Sequence, residues 1–438
     1  MLSRLKKMIP QAWLKPYHYA LARLSSWYYD HPSRELIVIG VTGTNGKTTT
    51  SYLLSKVLEA SGHKTGLTST ALMKIGENEW VNDTKMTMPG RFFLQRMLRK
   101  MVDEGCRYAV IETSSQGLIQ SRHVGIAYDI VVFTNLTPEH LEAHGGFENY
   151  RRAKRMLFEH LTTLPPKTLC GTVIPRAAVL NADDESSTYY AATTGLPHVE
   201  WYGIEHERGL RAHQLVLGDL SSHFIVREIP VAFSLPGRYN VENALAALTV
   251  TQVLSIPLPA AVQRLEAVKT IPGRFERIDL GQSWTVIVDY AYEPEALKRL
   301  YDALRLIPRK RLIHVLGSCG GGRDQARQHV LGQMAGREAD VVIVTNEDPY
   351  DDPPEQIIER VAAGAREVGK KDGETLFSVL DRREAILLAM QQAGPNDLVL
   401  LTGKGCEPWI CVADGKKIAW DEAGVAREAI ACVLDKAS

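Results

Sequence analysis

The chain has 438 residues, enough for two or three domains that each bury a core. It carries 51 basic and 51 acidic side chains, a formal net charge of zero, without the basic excess that marks nucleic-acid binding. Its six cysteines form no C-x-x-C pair, as expected of a reduced cytoplasmic protein, and no apolar run approaches the ~20 residues that span a bilayer.

Residues 1–33 stand apart. Arg4, Lys6, Lys7, Lys15 and Arg23 face one acid, Asp30, with Trp13, Tyr17, Tyr19, Trp27, Tyr28 and Tyr29 interleaved. Lys6, Lys7, Pro10, Lys15 and Pro16 interrupt any secretory apolar core. A basic, aromatic segment of this kind either lies on an anionic membrane surface or forms a helical arm packed on the protein or on a partner chain. Because Pro10 and Pro16 divide it into short pieces, the packed arm is favoured.

The next stretch organises the chain. Leu36 to Thr42 is a short β-branched run, and it enters the turn Gly43-Thr44-Asn45-Gly46 before Lys47-Thr48-Thr49-Thr50. Thr48 to Ala60 reads as a helix closed by Ser61-Gly62. Glycines let backbone N–H groups point inward, Lys47 reaches the outer phosphates, Thr48 holds Mg²⁺, and the helix N-terminus favours the anion. The strict G-x-x-x-x-G-K-[ST] spacing is broken, since Val41 stands where its first glycine belongs. The strand before and the helix after still make ATP or GTP the expected ligand.

From Arg34 the text repeats strand, turn and helix. Phe92 to Glu104 reads as a helix, and Tyr108–Glu112, Ile130–Thr134 and Ala177–Asn181 as buried strands. Residues 197–234 read as a β-rich insertion and Asn240 to Leu254 as an alanine-rich helix. After Pro272-Gly273 a second series begins. Its strands are 285–289, 312–316, 341–345 and 398–401, with helices at 294–306, 325–337, 354–368 and 383–392. The expected class is α/β: a P-loop-type, mostly parallel ATPase domain (34–271) followed by a Rossmann-like α/β domain (272–438). Pro-Gly-Arg-aromatic recurs at Pro89, Pro236 and Pro272, but the unequal spacing makes it turn chemistry and not a repeat.

Strand ends in open α/β sheets face the ligand crevice. Glu112 ends a strand and is either a Mg²⁺ ligand or a solvated acid. After the next strand end come Glu139-His140-Leu141-Glu142-Ala143-His144, where His140 is either a ligand for a second metal or structural. Lys154 lies on a helix among apolar residues, where a lysine usually snorkels to the surface.

Gly43-Thr-Asn-Gly-Lys-Thr-Thr49, Glu112-Thr-Ser-Ser115, Thr134-Asn-Leu136 with His140, and Tyr150-x-x-Ala-Lys154-x-x-Leu-Phe158 resemble the Mur ligase family in that order. So do Gly237-Arg-Tyr-Asn240-Val-Glu-Asn243, Pro272-Gly-Arg274-Phe-Glu276, Asp289-Tyr-Ala291 with Pro294, Arg323-Asp324, Asp381-Arg382, and Gly403-Lys-Gly405 with Glu407. The matches cover residues 34–438 and are most similar to the MurE branch, which adds the third amino acid to the peptidoglycan stem.

The resemblance implies roles. Gly43, Thr44, Asn45, Gly46, Lys47, Thr48 and Thr49 would bind ATP, with Asn243, Arg274 and Asp289 on the same nucleotide. Thr48 and Glu112 would hold one Mg²⁺ and His140 another, oriented by a carbamylated Lys154. Thr87, Ser114 and Arg122 match positions that hold a UDP-muramyl-peptide-type acceptor. Arg382, Gly403 and Glu407 match positions near the incoming free amino acid. An acceptor carboxylate would take the γ-phosphoryl group, and an amine would then displace phosphate to form the amide.

Departures bear on the acceptor half. Only residues 1–33 precede the ATP domain, where MurE-type ligases carry a domain that grips UDP. Gln116, Tyr292 and Cys406 stand where the family has His. Glu347-Asp348-Pro349-Tyr350 replaces an Asp-Asn-Pro-Arg whose Arg pairs with the distal carboxylate of diaminopimelate. Tyr350 cannot make that pair, while Glu347, Asp348, Asp351 and Asp352 suit a distal ammonium such as that of lysine. Two alternatives share the motifs: a ligase with a folylpolyglutamate- or cyanophycin-type acceptor, and a non-catalytic ATP-binding subunit. Retention of Lys47, Glu112, His140 and Lys154 together argues against the second.

Overall fold

The computed structural model describes residues 11–437 except 139–143, 194, 197, 323 and 324. The chain forms two compact units. The first comprises residues up to 216 with 223–233 and 239–268, and the second 217–222, 234–238 and 269–438.

The first unit starts with α1 (Gln11–Tyr28), one 18-residue helix with Pro16 inside it. The break expected at Pro16 does not occur, and Pro10 lies outside the described residues. Pro16 falls in the second turn, where it forfeits one backbone hydrogen bond. Downstream, Ala22, Ser25 and Ser26 are buried at i, i+3, i+4 spacing, and Ser26 Oγ donates to Gly125 O at 2.9 Å. Then come β1 (Ile37–Thr42), α2 (Lys47–Val57), β2 (Thr65–Thr68), β3 (Leu72–Ile75), β4 (Asn78–Val81), α3 (Arg91–Asp103), β5 (Tyr108–Glu112), the one-turn α4 (Ser115–Ile119) and β6 (Ile130–Phe133). They are followed by α5 (Phe147–Thr163), the ribbon β7 (Thr168–Leu169) and β8 (Thr172–Val173), β9 (Ala177–Asn181), α6 (Ser187–Ala191), β10 (Val199–Gly203) and β11 (Leu210–Arg211).

Nine of these strands make one sheet in the order β11-β10-β9-β6-β1-β5-β2-β3-β4. It is parallel except at β3 and β4, which join as antiparallel edge strands. Central β1 is buried along all six residues, the run of β-branched side chains that a doubly covered strand demands. Leu94, Met97, Leu98 and Met101 of α3 and Leu157, Phe158 and Leu161 of α5 are buried in the core cluster of this unit. Each such side chain contributes roughly 1.5–3 kcal/mol by leaving water.

The expected β-rich insertion at 197–234 divides. β10 and β11 extend the central sheet, because Trp201, Tyr202 and Gly203 are buried beside β9. Only β12 (His213–Leu217), β13 (Ser222–Val226) and β14 (Ile229–Phe233) form a separate three-stranded sheet. α7 (Arg238–Val253) and α8 (Leu258–Glu266) follow.

The second unit contains β15 (Glu276–Ile278), β16 (Thr285–Val288), α9 (Pro294–Leu304), β17 (Leu312–Leu316), α10 (Ala326–Glu338), β18 (Val341–Thr345), α11 (Pro354–Glu367), β19 (Leu376–Val379), α12 (Arg382–Gln392) and β20 (Leu398–Leu401). A ribbon of β21 (Trp409–Cys411) and β22 (Lys417–Ala419) precedes the last helix, α13 (Glu422–Ala437). The sheet order is β15-β16-β20-β17-β18-β19, parallel except for β15. Its own core draws on β16–β18 and β20 together with α12 and α13. No described helix is long and apolar enough to cross a membrane.

Candidate active site

Three neighbouring parallel strands of the first unit end together. β1 pairs with β5, Val41 opposite Glu112, and with β6, Thr42 opposite Phe133. The Gly43–Lys47 turn therefore lies between Glu112 and Thr134-Asn135, at the strand ends where α/β sheets bind ligands. Gly43 and Gly46 have φ of 150° and 79°. A Cβ would stand 1.9 Å from Thr134 Oγ1 at the first and 2.3 Å from Asn243 Oδ1 at the second, so only glycine fits.

The turn is braced from behind. Thr44 N–H donates to Asn135 O (2.8 Å) and Asn45 N–H to Asn135 Oδ1 (2.9 Å), while Asn135 Nδ2 returns to Asn45 O (3.0 Å). These two amides thus serve the scaffold instead of pointing inward. Anion-binding capacity shifts to the first turn of α2, at Lys47, Thr48 and Thr49, which has no side-chain cap and no acid. Lys47 Nζ donates to Thr44 O within its own loop at 2.5 Å.

Glu112 is buried and well supplied with donors. Thr48 Oγ1 lies 3.1 Å from both carboxylate oxygens, Thr70 N–H donates at 2.6 Å, and the Thr70 hydroxyl donates at 2.9 Å. The solvated-acid alternative is excluded. Hydroxyl and carboxylate oxygens are the ligands a magnesium ion takes, so Thr48 and Glu112 fit that group. Thr70 Oγ1 also lies 2.9 Å from Thr87 Oγ1, linking Glu112 to an expected acceptor residue.

Lys154 is 1% exposed, donates from Nζ to Gly43 O at 2.5 Å, and lies 4.3 Å from the Tyr150 ring centroid. A snorkelling surface lysine is thereby ruled out. The Tyr150 hydroxyl in turn lies 3.1 Å from Thr44 Oγ1. Asn243, on α7, accepts from the Thr50 hydroxyl at 3.1 Å, and its buried Nδ2 has no partner among the described residues. A buried amide left open beside a glycine loop fits a missing phosphate acceptor. His140 lies outside the described residues.

Ser114 caps α4 by accepting from Gly117 N–H at 3.1 Å. Arg122 donates to Gln120 Oε1 from Nε (3.2 Å) and Nη2 (2.7 Å), and from Nη1 to Met88 O, adjacent to Thr87.

In the second unit, the expected residues also gather at strand ends. Asp289, after β16, accepts from Phe275 N–H and Ala291 N–H at 2.7 Å each. Burial raises its pKa, and the Arg274 charge opposes that rise. Arg274 stacks 4.4 Å over the Tyr290 ring. Glu407 accepts from Tyr290 OH (2.9 Å) and from Lys404 Nζ (2.7 Å). Fully buried Lys404 also donates to Asp348 Oδ1 (3.1 Å) and Trp409 O (2.7 Å), and Asp348 accepts from Cys411 N–H as well (2.7 Å).

The acidic run is therefore not a free cluster. Asp348 is paired with Lys404, Asp352 accepts from Gly321 N–H, and Asp351 accepts from Asp414 N–H. Glu347 differs: Cys319 Sγ donates to one oxygen at 2.9 Å, while the other is buried without a partner among the described residues. Burial, and secondarily the charge of Asp348, raise its pKa. That open oxygen faces Gly403, whose Cβ would stand 2.4 Å from it. Arg382 is buried against Glu422, with further bonds to Asn346 O and Thr402 O, so it braces the ends of β18 and β20.

Sequence reasoning assigned nothing to Thr70, Asn135, Tyr150 or Lys404. Thr70 stands two residues past β2, a strand absent from the sequence reading, and meets Glu112 because β2 neighbours β5 with Thr68 opposite Ile111. Asn135, Tyr150 and Lys404 lie inside the motifs, but their partners come from distant segments.

Two family models match: the Mur ligase middle domain over residues 41–251, and the Mur ligase, glutamate ligase domain over 273–405. UDP-N-acetylmuramyl-tripeptide synthetase from Roseiflexus sp. (strain RS-1) is 42% identical over 420 residues, 94% of this chain and 82% of that protein. UDP-N-acetylmuramoyl-L-alanyl-D-glutamate--2,6-diaminopimelate ligase from Geobacillus thermodenitrificans (strain NG80-2) is 38% identical over 417 residues, with the same coverage of 94% and 82%. A solved structure of a ligase of that second name aligns with a TM-score of 0.62 at 28% identity, covering 94% of this chain and 82% of its own. With both domain models matched in order and this identity along nearly its whole described length, the chain belongs to the Mur ligase family.

Proposed function

We propose that the chain is an ATP-dependent ligase that activates a carboxyl of a UDP-muramyl-peptide-type acceptor as an acyl phosphate and joins a free amino acid to it, in peptidoglycan precursor synthesis. The observation that carries this reading is the assembly at three adjacent strand ends. A glycine turn with Lys47, the Thr48–Glu112 oxygen pair and buried Lys154 converge there, beside an open Asn243 amide. The names of the relatives support the acceptor class.

The division of labour follows. Lys47 exchanges its Thr44 carbonyl for a phosphate oxygen, and the α2 terminus and Asn243 Nδ2 supply further donors. Thr48 and Glu112 would hold a magnesium ion, which when bound would supply charge neutralisation for the transferring phosphoryl group. Thr70 fixes Glu112 in place while contacting Thr87, which with Ser114 and Arg122 holds the acceptor. Lys154 is the side chain proposed to carry a carbamate, and His140 is proposed as a metal ligand. Residues 34–271 form the ATP-binding domain in this reading and 272–438 the amino-acid-adding domain, where Arg274 and Asp289 serve the nucleotide. Gly403 and Glu407 meet the amino acid, with Arg382 positioning the loop. Because Asp348 is already paired with Lys404, any preference for a distal ammonium rests on Tyr350 with Glu347, Asp351 and Asp352.

The test is phosphate release with UDP-muramyl-dipeptide, Mg-ATP and a panel of amino acids. Release should require all three substrates, and no turnover with any amino acid would remove the proposal. Lys154→Ala should lower kcat by about 10²-fold or more. Bicarbonate should restore the wild type after carbon dioxide is stripped and leave the variant unchanged. Full wild-type activity without bicarbonate would sink the carbamate.

A further inference from the structure

Arg91 opens α3 and Arg122 follows α4, and the two share Gln120. Arg91 Nη2 donates to the Gln120 carbonyl, and Arg122 donates twice to the Gln120 side chain and once to Met88 O. All these acceptors are neutral amide oxygens. Among the described residues neither guanidinium pairs with a carboxylate, and Arg91 Nε is buried without any acceptor. Burial lowers the pKa of both, and the charge of Arg91 lowers that of Arg122 further. Two half-buried like charges without a counter-ion oppose folding by themselves, and a bound anion relieves both.

The location is specific. Met88, which Arg122 grips, follows Thr87, and Thr87 is linked through Thr70 to Glu112. Gly117 is wedged between Met88 and Ser114, where a Cβ would lie 2.6 Å from Met88 Sδ and 3.2 Å from Ser114 Oγ. The first turn of α3 contains no acid and Gly90 gives it no side-chain cap, so the helix terminus adds to the positive field. Arg122 matches a family acceptor position, whereas Arg91 matches none.

We infer that Arg91 and Arg122 form one two-guanidinium seat for an anionic group of the acceptor other than the carboxyl that reacts, with Arg91 the residue that makes the seat selective. The inference rests on the acceptor class proposed above. Guanidinium forks match carboxylate and phosphate alike. Such an acceptor offers both, the second carboxylate of its glutamyl residue and the diphosphate of its nucleotide.

The experiment compares wild type with Arg91→Gln and Arg91→Lys. In Arg91→Gln the KM for UDP-muramyl-dipeptide should rise about 10- to 100-fold, with kcat and the KM for ATP moving less than about twofold; Arg91→Lys should recover part of the loss. An acceptor with its non-reacting glutamyl carboxylate amidated should cost the wild type the same factor and Arg91→Gln nothing more, if the carboxylate is the occupant. An acceptor lacking the nucleotide diphosphate gives that pattern if the phosphate is. An acceptor KM within twofold of wild type in Arg91→Gln overturns the seat. Should the wild type turn over no muramyl peptide, thermal shifts with glutarate and with pyrophosphate decide separately. A wild-type shift that Arg91→Gln loses supports the seat, and equal or absent shifts in both overturn it.

Discussion

His123 is 5% exposed, sits edge-on to His160 at 5.0 Å, and leaves Nδ1 without a partner among the described residues. Burial, helped by His160, pushes its pKa from 6.5 down to about 3. A group depressed in this way is neutral when folded and takes up a proton on unfolding, so stability is present above pH 6.5 and lost as pH falls toward 3. The loss approaches ~1.4 kcal/mol per pH unit. His123→Phe, which keeps a ring and sheds the titration, should therefore gain roughly 1.5 kcal/mol on wild type between pH 6.5 and pH 5, read from urea unfolding at each pH. An unchanged gap would exclude His123 as an acid-sensitive site. What was legible at this scale follows from how far each role reaches along the chain. Lys47, Thr48 and Glu112 act within short motifs whose spacing carries the chemistry. That Asn135 takes the Asn45 amide, and that Lys404 pairs with Asp348, depends on segments 90 and 56 residues apart meeting in space.

Elements were readable where one physical signal dominated. β5, β9, β17, β18 and β20 have the expected bounds because each is a continuous buried run flanked by polar punctuation. β15 and β19 escaped notice, since three or four partly exposed residues at a sheet edge carry no such run. Pro16 misled in the other direction: proline disfavours a helix locally, and the buried stripe from Ala22 to Ser26 outweighs it. The contact of α10 with α11 turns on glycines that the sequence alone does not explain. A Cβ on Gly332 would stand 1.8 Å from Val361 O, and one on Gly364 2.1 Å from His329 O, so the two backbones approach as closely as only hydrogen atoms allow. Gly332→Ala must push the helices apart, outweighing the usual helix-propensity gain of alanine. It should destabilise by about 1–3 kcal/mol, measured as a fall in denaturation midpoint. A rise in midpoint would mean that the helices separate without cost.

At the scale of the whole molecule, the two units have separate cores, one around β1 with α3 and α5 and the other around β16–β18 and β20 with α12 and α13. Arg382 is the buried ionic strut of the second core. Its guanidinium holds Glu422 with Nε at 2.9 Å, and Nη1 and Nη2 tie Asn346 O and Thr402 O, the ends of β18 and β20. Arg382→Ala leaves the Glu422 carboxylate buried without its counter-charge, a loss of about 3–5 kcal/mol. Replacing both partners by apolar residues of similar size, as in Arg382→Met with Glu422→Leu, removes that stranded charge and should recover much of the stability. Local opening costs less than global unfolding and follows cooperative units. Hydrogen exchange in Arg382→Ala should therefore quicken in strands β16–β18 and β20, with β1, β5 and β6 keeping their wild-type protection and the glycine turn still binding an ATP analogue. Equal loss of protection in β1, β5 and β6 would show instead that the two cores fold as one cooperative unit, and that the strand ends bearing Glu112 depend on the Arg382–Glu422 ion pair.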